Sequence, residues 1–539
     1  METKTKKKQK LILNVSNSKY DVIRHVGKKL LGLKLKETED DNWDLFWTDT
    51  SINPGRLSRM KPFQKINHFP EMINICRKNL MAINLNKFRK LFPKEYNFYP
   101  QTWILPSDIA DFKGQLSKRT KRTYIVKPDA SAQGKGIYLV NKPEQLACTE
   151  SCVAQEYLKK PFLINGLKFD LRIYVLVAGC DPLRIFIFKD GLARFATETY
   201  KAPQKNNLEK TCMHLTNYAV NKRNPNFIKN QNPESENSAH KRSIVNLFQQ
   251  LTEEGHNCEV LWQKICDIVV KTILTIQPTL AHTYRSCQPE DTSNSMCFEV
   301  LGFDIMLDKK LKPWLLEVNH SPSFTTDSSL DRRIKRQVIS EAIQLMNLTL
   351  KSKKLFLKKQ KRQSWERTYS KKYEKESKES LKAKEAKKRT KHEASLEVNY
   401  QLIYPSETNK YQKFEESAMD FYTNFTQGRR KRNESQPPIV APLRKPLVRN
   451  PVKPIRPSST KKTLPNKNHE IERTYSAREL NKPKQPRRRV TSAHPKKPTL
   501  DSTQPPTSGS YLVPKLIDFP FELKITEELP QTRKRLLVR

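Results

Sequence analysis

Polar and apolar positions alternate most cleanly near residue 305. Phe303, Ile305 and Leu307 fall on one face and Asp304 and Met306 on the other, the pattern of a strand with one buried face. A polar turn over residues 308–313 separates it from a second apolar run, Trp314 to Val318, so residues 298–324 predict a β-hairpin. Glu317 and Asn319 share a face of the second strand, and pairing brings Asp304 alongside them. Two carboxylates and a carboxamide make a hard-oxygen set suited to Mg²⁺ with phosphate and water. A solvated edge ending in a turn explains the same residues equally well.

Upstream, residues 168–177 place Lys168, Asp170 and Arg172 on one face and Phe169, Leu171 and Ile173 on the other. Lys-Asp-Arg in that order suits a phosphate-facing strand better than a solvated one. Residues 124–127 predict a strand, 128–136 a small-residue loop containing Gln133, Gly134 and Lys135, and 137–140 a returning strand. Such a loop lets backbone amides approach a polyphosphate, although a glycine turn in a hairpin explains it too and the Walker spacing is absent. Residues 184–188 and 192–197 predict a further hairpin around Lys189-Asp190-Gly191, with Arg194 aimed at the same cleft. Residues 214–218 read as a loop.

An N-terminal β-α-β pattern (11–15, 20–31, 43–47) predicts a small α/β lobe. Helical spacing marks 72–91, two helices over 244–276 broken at Gly255, and 327–350 capped by Asp327 or Ser328.

The composition divides this ordered front from a different back. Of 539 residues, 101 are Lys or Arg against 56 Asp or Glu, a formal net charge of +45. Residues 351–400 hold 18 Lys/Arg and 7 Glu, and 17 of the 35 prolines lie beyond residue 425. The first stretch predicts a solvated basic helix and the second a disordered tail. Short basic clusters, Arg429 to Arg432 and Arg487 to Arg489, could act as nuclear signals. The charge implies a polyanionic partner without choosing among nucleic acid, membrane surface and acidic protein. Nine scattered cysteines predict reduced thiols in a cytosolic protein. No apolar run is long enough for a signal peptide or a membrane span.

Taken in order, IVKPDASAQGKGI, QEYLKKPF, KFDLRIYVLV, KDGLARFAT, HLTNYAVNK, GFDIMLD and PWLLEVNHSPSF resemble the tubulin tyrosine ligase-like family of ATP-grasp enzymes, and its polyglutamylase branch most closely. The resemblance covers about residues 40–350. It implies an α/β (α+β) ATP-grasp fold with an N-terminal lobe (1–105), a central lobe (106–180) and a C-terminal lobe (181–350), then a basic helical microtubule-binding segment (351–425) and a disordered tail (426–539). It implies an ATP- and Mg²⁺-dependent ligase that joins free L-glutamate to glutamate side chains of tubulin tails through an acyl-phosphate. Lys127, Gln133, Gly134, Lys168, Phe169, Asp170, Thr216 and Asn217 would then hold the nucleotide, with Gln155, Glu156, Tyr157 and Leu158 as the adenine hinge. Asp304, Glu317 and Asn319 would ligate Mg²⁺. Arg172 and Arg194 would stabilise transferring charge beside the catalytic Glu317. Gln133, Arg194, Tyr218, Lys241 and His320 would contact the amino-acid and acceptor substrates. A monomer on cytoplasmic microtubules is expected, with cilium, basal body or axon as candidate locations and no membrane.

Two readings compete with this one. A glycylase of the same family shares these motifs, and a microtubule-binding protein with an inactive core would keep the basic segment. A nucleic-acid binder ranks last, since no reader motif accompanies the charge.

Overall fold

A computed structural model describes residues 9–118, 122–129, 131, 133–147, 150–230, 238–369 and 377–434. Three sheets carry the fold. The first, β1 (Ile12–Asn17), β2 (Lys34–Lys36), β3 (Leu45–Thr48) and β4 (Lys65–Ile66), is parallel in the order β2-β1-β3-β4. The second, β5 (Thr102–Leu105), β6 (Tyr124–Pro128), β7 (Tyr138–Val140) and β8 (Cys152–Glu156), is antiparallel in the order β5-β8-β6-β7.

The third sheet has seven strands: β9 (Leu163–Ile164), β10 (Leu167–Cys180), β11 (Leu183–Phe195), β12 (Lys241–Ser243), β13 (Glu299–Leu307), β14 (Pro313–Asn319) and β15 (Tyr400–Tyr404). Its spine runs β12-β11-β10-β13-β14, with β9 paired to β10 and β15 to β11. Alternation along β10 sorts its side chains. Phe169, Leu171 and Ile173 enter a core with the helices Ile244–Glu253 and Cys258–Leu274, while Tyr174 and Leu176 meet the helix Ser329–Leu345 on the other side. Both faces of the sheet are therefore covered, and Lys168, Asp170, Arg172, Arg194, Asp304 and Glu317 gather at one end of it.

Several sequence expectations need correction. Lys189-Asp190-Gly191 is not a turn: β11 is one strand that pairs with β10 from Leu183 to Phe195, its register shifting between Ile187 and Gly191, and the hairpin turns at Asp181-Pro182. The strand continues because Asp190 is claimed by tertiary bonds. Its carboxylate accepts from Gly191 N–H, Ser243 Oγ and Ile244 N–H at 2.7, 2.8 and 3.1 Å, and so serves the start of the helix Ile244–Glu253. Gly191 is needed for closeness rather than for turning, since a Cβ there would lie 2.4 Å from the Arg172 carbonyl.

β5 pairs with β8 of the second sheet, and β10 and β11 form one hairpin of the large sheet. Residues 400–421 are part of the core: β15 extends the large sheet, and Phe414 and Phe421 of the helix Gln412–Glu434 pack on Phe92 and Phe88 at ring separations of 5.0 and 5.4 Å. The expected tail begins as helix to Glu434, and the rest of it, with Arg487 to Arg489, lies outside the described residues. Cys152 is disulfide-bonded, contrary to nine reduced thiols, while seven other cysteines are free. The 72–91 helix is two, Ile73–Cys76 and Lys78–Leu91, and Ser328 rather than Asp327 caps the helix Ser329–Leu345. Among the described residues no helix is long and apolar enough to cross a membrane.

Candidate functional site

The charged ends of β10, β13 and β14 face β6 and β8 across a cleft of about 70 Å³. Eleven of the residues expected from sequence line it: Lys127 from β6, the stretch Gln155, Glu156, Tyr157 and Leu158, Lys168 and Asp170 from β10, Thr216 and Asn217, and Asp304 and Glu317 from the last hairpin. Ile125 and Met306, one strand alternation away from Lys127 and Asp304, add apolar wall with Ile137 and Leu316. Alternation alone would have found the first two.

At one end of the cleft lies the stretch Gln155 to Leu158. Tyr157 N–H donates to the Thr123 carbonyl at 2.9 Å and Glu156 N–H to that of Gln101 at 2.8 Å. These bonds fix the stretch and leave Leu158 as its backbone donor.

Two lysines stand farther in. Lys127 Nζ donates to Gln155 Oε1 at 2.7 Å, and Lys168 Nζ to Tyr157 Oη at 3.0 Å and the His214 carbonyl at 2.7 Å. Burial pulls Lys127 down to about 8, opposed by Glu317, and Lys168 down to about 7, opposed by Asp170. Burial, with Lys168 nearby, also holds His214 down at about 4. His214 escapes sequence reasoning as a site residue: a histidine in a short irregular stretch carries no periodic signal. Buried ammonium groups without a full carboxylate partner are costly, and a polyanion would repay that cost.

Asp304 and Glu317 sit directly opposite in the β13–β14 register, with a bulge on the next step. Burial pushes both carboxyls up. For Asp304 the attraction of Arg172 and Arg194 outweighs burial and holds it low, whereas for Glu317 the Asp304 charge adds to burial and holds it high. Asn319 Nδ2 donates to Glu317 Oε1 at 3.2 Å and to the Gly302 carbonyl at 3.3 Å, and Asn319 lies outside the cleft lining. Adjacent carboxylates that disfavour each other's charge fit a divalent cation. The described residues contain no group of three His, Cys, Asp or Glu that could hold a metal, so this set needs phosphate or water oxygens to complete it.

Arg172 and Arg194 are placed differently from expectation. Arg172 binds Asp304 through Nε and Nη2 at 2.5 and 3.0 Å, and Arg194 bridges Asp170 and Asp304 at 2.5 and 2.8 Å. They brace the carboxylates from behind rather than line the cleft. Phe169 is not at the site; it stacks on Phe195 in the core at 5.1 Å. Gln133 and Gly134 have positive φ of 64° and 79°, and a Cβ on Gly134 would lie 2.9 Å from Val220 and 3.3 Å from Asn217, so this turn rests beside the cleft wall. Tyr218, Lys241 and His320 lie outside the cleft lining. Lys241 stands 3.8 Å from the Tyr218 ring centroid and 2.7 Å from Asp331, Tyr218 Oη donates to Asp327, and His320 lies 6.0 Å from the His68 ring.

The family model described as the tubulin-tyrosine ligase family matches residues 56–355. Curated proteins similar to the chain include a "Probable beta-tubulin polyglutamylase" of Tetrahymena thermophila, 47% identical over 76% of this chain and 35% of its own length. The tubulin polyglutamylase TTLL13 of Mus musculus is 49% identical over 68% of this chain and 45% of its own length, and the mouse tubulin polyglutamylase TTLL6 is 41% identical over 78% and 51%. The chain thus spans about a third to a half of the length of these relatives. On the match over residues 56–355 and on identity across most of its length, this chain belongs to the tubulin-tyrosine ligase family.

Proposed function

We propose that the protein is an ATP-dependent carboxylate–amine ligase that lengthens or starts glutamate branches on tubulin tails. The observation that carries this reading is the one cleft in which the stretch Gln155 to Leu158, two buried lysines and an opposed carboxylate pair meet. The relatives bearing the name tubulin polyglutamylase support the donor and the acceptor.

In this reading the adenine lies against the stretch Gln155 to Leu158, and Lys127 and Lys168 neutralise the phosphates, with Thr216 and Asn217 alongside. Asp304, Glu317 and Asn319 would hold Mg²⁺, which when bound would offset the charge of the phosphate oxygens. The γ-carboxylate of an acceptor glutamate attacks the terminal phosphorus and ADP leaves. The amine of free L-glutamate then attacks the acyl carbon, loses a proton, and phosphate departs as the isopeptide forms. Bringing a carboxylate to a triphosphate is opposed by like charge, so the lysines must be in place beforehand. Arg172 and Arg194 serve by locking the carboxylates of Asp170 and Asp304 in position. Tyr218, Lys241 and His320, outside the cleft lining, are assigned to the amino-acid and acceptor substrates, with Gln133 at the rim.

Exposed lysines on the helices Leu350–Tyr369 and Lys378–Ala394, among them Lys358, Lys359, Lys361, Lys387 and Lys391, would meet the acidic lattice of a microtubule. On that reading the protein works on the cytoskeleton.

Labelled glutamate and, separately, labelled glycine offered to purified microtubules with Mg-ATP test the reading. Uptake of glutamate is expected. Uptake of glycine alone would make the protein a glycylase, and microtubule binding without uptake of either would leave only a binding role.

A further inference from the structure

Asn207, His214, Tyr157 and Lys168 form one hydrogen-bonded chain at the wall of the cleft, and the direction of each bond follows from the groups that make it. His214 closes the short helix Thr211–His214 and is buried. Its Nε2 lies 2.9 Å from the Asn207 carbonyl oxygen. A carbonyl only accepts, so Nε2 carries the ring proton. Burial, with Lys168 nearby, holds the ring neutral at pH 7, which leaves Nδ1 an acceptor. The atom 3.0 Å from Nδ1 is Tyr157 Oη, and the phenol hydrogen is spent on that bond. Its oxygen keeps lone pairs for Lys168 Nζ, 3.0 Å away. Tyr200, edge-on to His214 at a ring separation of 6.0 Å, donates its own hydroxyl hydrogen to the Lys159 carbonyl at 2.8 Å.

One residue thus holds Lys168 twice: the His214 carbonyl accepts from Nζ directly at 2.7 Å, and the His214 ring acts through Tyr157. An ammonium has three donors. Two are used, and the third is left for the cleft that Lys168 lines. His214 lines the same cleft, yet both of its ring nitrogens are taken by Asn207 and Tyr157. Without the ring, the Tyr157 hydroxyl is free to turn its hydrogen towards Lys168, and a flexible four-carbon side chain loses the acceptor that aims it.

We propose that His214 is a positioning residue for the nucleotide: held as the Nε2–H tautomer by Asn207, it turns the Tyr157 hydroxyl so that Lys168 is aimed with one donor at the phosphates. This rests on the nucleotide-dependent ligase reading above. A histidine that merely packed beside the stretch Gln155 to Leu158 would disturb nucleobase and phosphates alike, whereas one that acts through Lys168 has nothing left to do once Lys168 is removed.

Calorimetric titration of the full chain with Mg-ATP and with adenosine separates the two roles, using His214→Phe, Lys168→Met, the double variant and wild type. His214→Phe should weaken Mg-ATP binding by about tenfold, the scale of one charge-assisted bond, and adenosine by under about twofold. The double variant should bind Mg-ATP within about twofold of Lys168→Met alone. Tyr157→Phe, which keeps the ring and removes only the relaying oxygen, should reproduce His214→Phe and decides the matter if that variant does not fold. Losses that multiply in the double variant, adenosine weakened as much as Mg-ATP, or Tyr157→Phe binding like wild type would each overturn the proposal. So would nitrogen NMR showing the His214 proton on Nδ1 at pH 7. The titration is independent of amino-acid transfer. In a wild-type chain that binds Mg-ATP yet transfers nothing, the ligase reading fails while the cycle still decides the role of His214; a chain that binds no Mg-ATP would sink both.

Discussion

Replacing Glu317 by Gln should make the protein slightly more stable while abolishing its activity. Asp304 and Glu317 face each other across two paired strands, a placement that sets their Cβ atoms about 5 Å apart. Two unit charges at about 5 Å and an effective dielectric near 20 repel by about 3 kcal/mol. Lys127 and Lys78 offset part of this at Glu317, leaving on the order of 1 kcal/mol for the neutral amide to recover. That corresponds to a rise in melting temperature of about 2 °C for a domain of this size.

The sign follows from the raised carboxyl. The folded state holds the Glu317 proton more tightly than the unfolded chain, so the charged form costs stability above the folded pKa, and the cost disappears below the unfolded value of about 4.3. The gain from Glu317→Gln should thus be present at pH 7 and vanish as the pH falls towards 4. Turnover should drop by about 10²-fold or more, the scale of losing one preorganised electrostatic contact. Mg-ATP should raise the melting temperature of wild type more than that of the variant. Thermal melts at two pH values, with and without Mg-ATP, beside an incorporation assay, read all of this. A variant that melts below wild type at pH 7 would show that Glu317 is a structural partner of Lys127 and not a poised metal ligand.

Four further outcomes follow from particular contacts. Because burial holds Lys168 near 7 and Lys127 near 8, nucleotide phosphates should draw protons onto them: Mg-ATP binding should take up protons at pH 8 and weaken as the pH rises further. Calorimetry in buffers of different ionisation enthalpy measures this, and binding without proton uptake would contradict the pulled-down lysines. Asp190→Ala should cost about 2–4 kcal/mol, since the helix Ile244–Glu253 loses its carboxylate and a buried hydroxyl its partner; an unchanged melting temperature would refute that role. Exchanging Lys358, Lys359 and Lys361 for Glu should weaken microtubule binding in a salt-dependent way and leave melting unchanged, whereas truncation before Tyr400 should destabilise the core by removing β15. Cosedimentation at two salt concentrations and thermal melts distinguish these effects.

Alternation reveals what one strand does to its own side chains. It places Lys168, Asp170 and Arg172 on one face, and the Asp304–Glu317 pair in one hairpin, because a two-residue period is a local property. It does not say which carboxylate an arginine will choose. Arg172 and Arg194 have the spacing of cleft residues, yet Asp304 takes both. Asp190 misleads for the same reason: Asp-Gly is a turn signal locally, while the helix start that claims it lies some fifty residues later. β15 stays hidden because a short apolar run does not name the strand edge it will cover.

The central claim is a ligase step through an acyl-phosphate, and oxygen-18 placed in the acceptor carboxylates of a tubulin-tail peptide tests it most directly. After turnover with unlabelled Mg-ATP and free glutamate, mass analysis of the released inorganic phosphate should show one oxygen carried over from the peptide per bond formed. Phosphate free of the label, with glutamate nevertheless joined to the peptide, would contradict the mechanism.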